Sequence, residues 1–231
     1  MKKYIVPATA VLGILAVVLC FLAIVPLKTV KELEICTATD TDSNKVVTYY
    51  NKDGKVNTEE NYYMGEKNST NKYYYDNDGN IEKVENYFFD QLSSVTNYIY
   101  SDGLLIEKNI TGTDNIVHSK TLYTYTDGLL KLSVDHDSDG NPINEVKYDY
   151  DKKLLITKTS VAIDNGYSVV TNYTYDKGKV VKETIVSENG TTKEIRYTYD
   201  RFGNIISKAE NIENYTLYNY TYNTKKVTVF Y

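Results

Sequence analysis

Tryptophan is missing from this 231-residue chain, cysteine and histidine occur twice each, and proline three times. Two cysteines build no disulfide framework: Cys20 lies inside an apolar run and Cys36 just beyond it, and neither has the neighbours of a zinc site. The two histidines, His118 and His136, stand apart, with no Gly-x-Ser-x-Gly elbow to supply a nucleophile, so histidine-based triad or acid–base chemistry has no basis. Positive charge is not in excess either. Lys and Arg number 26 against 31 Asp and Glu, a net charge of -5. No basic stripe is present to follow a phosphate backbone, which excludes a nucleic-acid surface. Carboxylates are plentiful, but sequence selects no pair at glycosidase separation. The expectation is a protein that is not an enzyme and does not bind nucleic acid.

One long hydrophobic run is present. After Lys2 and Lys3, residues 4–27 are uncharged, enough for a helix to cross a bilayer and longer than a usual signal-peptide core. An uncleaved N-terminal membrane anchor or signal segment is expected over 1–30, and a single transmembrane helix fits best. Secretion after signal cleavage and lipid attachment at Cys20 remain as alternatives. Lys2 and Lys3 oppose Lys28 and Lys31, which Glu32 and Glu34 dilute, so the positive-inside bias places residues 31–231 outside the cytoplasm.

Tyrosine is abundant, with 25 copies. Aligning "RYTYDRFGNI" at 196 with the rest of the chain exposes eight related phrases, whose second tyrosines are Tyr50, Tyr75, Tyr100, Tyr125, Tyr150, Tyr175, Tyr199 and Tyr222. They recur every 25 residues five times, then after 24 and 23, a period that decides the architecture before any site is considered. Each unit opens with period-two alternation, as in "NYTYDKG", where Tyr173 and Tyr175 share one face. An Asp/Gly turn follows, then a branched-chain strand such as Leu104-Leu105-Ile106, then a second turn. One repeat is therefore one β-hairpin. The expected fold is all-β: about eight tandem antiparallel β-hairpin repeats over 47–231 form an elongated or curled sheet, with 31–46 as a short linker or capping strand. Tyrosines 75, 100, 125, 150, 175 and 199 should stack into a ladder that serves as a putative binding face. The chain's end, "NTKKVTVFY", either tucks back onto the sheet or offers an edge to a partner.

The sharpest local pattern is "DHDSDGNPINE". Asp135, Asp137 and Asp139 alternate before a glycine turn, with Glu145 beyond, so these four carboxylates form a candidate calcium site. Glu145 falls one residue short of the usual last ligand, and the competing reading is a repeat turn rich in Asp, Asn and Gly.

Tyr197-Thr198-Tyr199-Asp200 through Gly203-Asn204-Ile205, and Tyr73-Tyr74-Tyr75-Asp76 through Gly79-Asn80-Ile81, resemble the Tyr-Asp, or rearrangement-hot-spot, repeat family. The resemblance covers 47–231 and implies hairpins spiralling into a shell on a surface or secreted protein, with carbohydrate binding in some members. The array is short and no toxin domain follows Tyr231, so the family's payload activity is not implied. "YYYDNDGNI" also looks like cell-wall and choline-binding repeats, although those rely on tryptophan. The expected role is a membrane-anchored, extracytoplasmic binding or structural module at the cell envelope. Its possible partners are a cell-wall polysaccharide held by the tyrosines or a surface protein paired to the terminal strand.

Overall fold

The computed structural model describes residues 30–40, 43–200, 203, 205–210, 215–217 and 219–227. The expected membrane segment at 4–27 and the final residues 228–231 lie outside the described residues. No helix occurs among the described residues; they form strands and turns only. The strands are β1 (Val30–Thr39), β2 (Lys45–Tyr50), β3 (Val56–Tyr63), β4 (Glu66–Tyr75), β5 (Ile81–Phe88), β6 (Gln91–Ser101), β7 (Leu104–Gly112), β8 (Val117–Thr126), β9 (Leu129–His136), β10 (Pro142–Asp151), β11 (Leu154–Ala162), β12 (Ser168–Asp176), β13 (Lys179–Ser187), β14 (Thr192–Tyr199), β15 (Ile205–Ala209), β16 (Tyr215–Leu217) and β17 (Asn219–Val227).

From β1 to β16 each strand pairs antiparallel with the next, and β17 pairs with β1 from Val30↔Val227 to Thr39↔Asn219. β16 lies on β15 and β17 on β1, with only residue 218 between them in sequence. Counting the two together gives 16 strands, and the meander returns to its own first strand. Residues 31–46 contribute the strand that makes this return. Of the two expected fates for the chain's end, residues 219–227 show the first, lying against β1.

Two periodic devices shape the sheet. The first is the tight turn at one end of each hairpin: Asp102-Gly103 and Asp127-Gly128 have positive φ at both positions (51° and 75°, 52° and 73°), the conformation a two-residue hairpin requires and glycine adopts without strain. The second is a β-bulge at every ladder tyrosine from Tyr50 to Tyr199. Ile99 pairs with Glu107 and Tyr100 with Leu105, leaving Ile106 as the extra residue, and six other hairpins repeat the pattern. This explains the branched-chain runs: Leu105 is buried, whereas Ile106 points to the opposite face and is exposed.

Register reveals a tilt. Paired residues lead from Tyr49 through Thr58, Lys72, Glu85, Val95 and Thr111 to Val117, six steps sideways. The place in β8 equivalent to Tyr49 is Thr124, so the walk has slipped seven residues towards the other end. At about 3.3 Å per residue and about 4.8 Å per strand the strands lean by about 40°, the range in which sheets curl round on themselves. Sixteen such strands make a ring about 30 Å across.

Among the described residues only eight apolar side chains are buried, among them Cys36, Val84, Leu105, Leu130 and Ile195, so no second layer covers the sheet. The tyrosine-bearing face is the more buried of the two and is called the inner face below. Away from the tyrosines it is polar: Thr121 donates to Asp135 (2.7 Å), Asn144 donates to the other oxygen of Asp135 (3.0 Å), and Ser160 donates to Asn144 (2.9 Å).

Candidate functional site

The ladder of Tyr75, Tyr100, Tyr125, Tyr150, Tyr175 and Tyr199 is present, each residue set at a bulge on the inner face. Three of these rings reach back to bond the preceding hairpin. The hydroxyl of Tyr75 donates to the Val56 carbonyl (2.6 Å), that of Tyr175 to Leu155 (2.8 Å) and that of Tyr199 to Val180 (2.6 Å). These acceptors are not arbitrary. Val56, Leu155 and Val180 are the residues paired with the preceding ladder tyrosines, Tyr50, Tyr150 and Tyr175. Every such bond therefore clasps one repeat to the last. Burial pushes the phenols of Tyr75 and Tyr100 up to about 12, and those of Tyr125, Tyr150, Tyr175 and Tyr199 are raised for the same reason. Lys55, Lys131 and Lys179 stand 4.9, 5.1 and 5.0 Å from the ring centres of Tyr75, Tyr150 and Tyr199, so these ring faces already meet a cation. A second row, from Tyr73 through Tyr98, Tyr123, Tyr148 and Tyr173 to Tyr197, runs beside the ladder with phenols likewise raised by burial.

The four candidate calcium ligands do not come together. Asp135 faces inward and is held by Thr121 and Asn144. Asp137 caps its own turn, accepting from the backbone N–H groups of Asp139 (2.9 Å) and Asn141 (2.8 Å), just as Asp76 accepts from Asn80 in another hairpin. These bonds hold its carboxyl below the usual range. Glu145 pairs with Val134 rather than Asp135, which places it on the outer face beside Lys147 (2.8 Å). No cluster of three or more ligating side chains occurs among the described residues.

The outer face is charged. Lys83–Glu85, Lys182–Glu194 and Arg196–Glu194 pair at 2.9, 3.3 and 3.0 Å. Hydrogen bonds from Tyr74 and Lys83 pull the Glu85 carboxyl down to about 2. A groove of about 500 Å³ crosses β7, β8 and β9 on this face, lined by the cross-strand row Asn109, Lys120 and His136 and by the turn Asp137–Gly140. His118 is elsewhere, 3.0 Å from Asp114 at a hairpin tip.

Sequence reasoning missed the hairpin tips at the end of the sheet opposite the Asp-Gly turns. Tyr63 and Met64 are 60% and 78% exposed, Phe88 and Phe89 52% and 59%. Met64, Phe89 and Asp90 have φ of 51°, 45° and 62°, a left-handed conformation that bulky residues seldom adopt. The signal was available in "YYMGEK" and "YFFDQL", where apolar residues occupy turn positions filled elsewhere by Asp, Asn and Gly.

No family model matches the chain, and no curated protein does. Among solved structures, a porin-like protein from Bacteroides uniformis is similar at 13% identity with a TM-score of 0.52, over 83% of this chain and 98% of that one. A porin-like protein from Bacteroides vulgatus matches at 12% identity with a TM-score of 0.36, over 73% of this chain and 99% of that one. The first likeness concerns the fold alone: one all-β sheet of consecutive antiparallel hairpins.

Proposed function

We propose that this protein is a non-enzymatic β-repeat module of the cell envelope, held at the membrane through residues 4–27, with residues 31–231 on the extracytoplasmic side. Its hairpins are read as a short, divergent array of Tyr-Asp repeats. The observation that carries this reading is the self-sufficiency of the repeats. Ladder hydroxyls clasp the neighbouring hairpin, and the most suggestive carboxylates cap turns or join the inner polar network. Such an array is built to persist and to present its surface, not to turn over a substrate.

The strand arrangement invites a second thought, that the sheet itself spans a bilayer, and the side chains oppose it. A membrane barrel needs an outward apolar band about 25 Å tall. Here the outer face carries Lys83, Glu85, Lys120, Lys147, Glu145 and Arg196 in mid-strand, and the inner face carries Glu59, Asp135 and Glu183. Neither face offers such a band. Tyrosine-based sugar binding is also disfavoured at Tyr75, Tyr150 and Tyr199, where a lysine already meets the ring.

Protease treatment of intact cells tests the topology. Fragments arising from 31–231 without lysis support it, and protection until lysis overturns it. Sedimentation with purified cell-wall fractions then separates a binding module from a spacer: saturable retention indicates the former, and none the latter.

A further inference from the structure

The two apolar hairpin tips are adjacent and tied together. The Phe89 N–H donates to the Asn68 carbonyl (3.0 Å), and Lys67 of one tip pairs with Asp90 of the other (2.6 Å). Around this tie stand Tyr63, Met64, Phe88, Phe89 and Leu92, all more than two fifths exposed, and the two phenylalanine rings meet edge to face at 4.5 Å. The Asp102-Gly103 and Asp127-Gly128 turns at the opposite end carry no apolar side chain. Met64 and Phe89 take the left-handed backbone that their turns require, as Lys152 and Lys177 do in other hairpins, but unlike those lysines they leave large apolar side chains exposed.

We infer that this rim is a homotypic interface, covered in the functional state by the same rim of a second copy. Three observations select that occupant. β1 runs from Val30 at the far end of the sheet to Thr39 at the apolar rim, so the chain preceding Val30 joins the sheet at the end away from the tips. Charge is close to balance within the patch: Lys67 and Asp90 neutralise one another, and Glu66 leaves each copy one exposed carboxylate at the tip, whose repulsion salt screens. Area is sufficient. Three half-exposed aromatic rings, with Met64 and Leu92, offer roughly 500 Å² per copy, and a two-fold pair removes about 1,000 Å², the threshold of a specific interface. The inference stands independently of the envelope reading, since it does not depend on which membrane face the sheet occupies.

The test uses the full chain in detergent and the double variant Met64→Asn/Phe89→Asn. Asparagine tolerates left-handed backbone, so the variant should unfold at higher denaturant while its dimer weakens by tenfold or more in sedimentation equilibrium. Ile99→Ser, at an exposed apolar residue beside the Asp102-Gly103 turn at the other end of the sheet, should leave the dimer unchanged. A wild-type chain that stays monomeric up to the highest concentration at which it remains in solution overturns the proposal. A dimer that survives the double substitution does so too, by placing the contact elsewhere. Because stability and association move in opposite directions, failure to fold cannot imitate the expected result.

Discussion

Raising the pH should unfold this protein cooperatively, because its repeats are joined by buried phenols. All twelve tyrosines of the two inner rows, from Tyr73 to Tyr199, have their ionisation pushed upward, chiefly by burial. A phenol raised in the folded state contributes stability that is complete below its unfolded value of about 10 and is lost as the pH climbs through its folded value. For Tyr75 and Tyr100 that folded value is about 12. At about pH 11 each such group costs about 1.4 kcal/mol, and solvent screening of partly exposed rings reduces this to about 0.7 kcal/mol. For Tyr75 and Tyr100 together the loss is about 1.4 kcal/mol, and the other ten phenols, shifted in the same direction by burial, add to it. Tyrosinate absorbance and the far-ultraviolet β signal, followed together, should change in one steep step above pH 10. Repeating the titration in high salt, which already screens the lysine pairs of the outer face, isolates the phenols. Tyrosinate forming gradually around pH 10 with the β signal intact to pH 12 would refute the reasoning.

Tyr175→Phe removes only the hydroxyl that donates to Leu155, and should lower stability by about 1 kcal/mol in urea titration; an unchanged midpoint means the clasp is inert. Glu85, whose carboxyl is held down to about 2 by Tyr74 and Lys83, contributes stability that is present above about pH 4.5 and lost as the pH falls towards 2, so Glu85→Gln should flatten part of the acid limb of the stability curve. Since Asp135, Asp137, Asp139 and Glu145 do not converge, calcium and chelator should leave the melting temperature unchanged; a rise with calcium would show that they rearrange around the ion.

Period and turn chemistry made the hairpins legible. Tyrosines 25 residues apart and the Asp-Gly pairs predict strands of the length observed, and they put the ladder on one face. Three features escaped because they belong to register rather than to residue type. The run Leu104-Leu105-Ile106 reads as a simple apolar strand, yet the bulge turns Ile106 out. Alternate carboxylates share a face only while a strand continues, and the strand ends at His136, so Asp137 begins a turn instead of joining Asp135. The ladder was legible as a row of rings but not as an occupied one. Lys131 and Lys179, which meet Tyr150 and Tyr199, lie about 20 residues away in sequence and come near only through pairing between hairpins. That the chain's end tucks back was one of two expectations, but its partner β1 was not legible, since the residues of that pairing are related by no repeat.

In a one-layer repeat sheet, whatever one hairpin does on its face its neighbours tend to do also. A feature that recurs in every unit is explained first by what every unit needs, namely a bond to the next. The ladder hydroxyls, the bulges and the turn-capping aspartates all recur, and all are spent on continuity within the sheet. Specific recognition has to be sought where the repetition breaks. It breaks at "YYMGEK" and "YFFDQL", where bulky apolar residues sit in left-handed turns, and around Asn109, Lys120 and His136, where a groove crosses β7, β8 and β9. The first of these is exposed and apolar, whereas the second is small, mixed in charge and bordered by a turn already fixed by Asp137. The rim is therefore where substitution should alter what the protein binds while leaving the sheet that carries it intact.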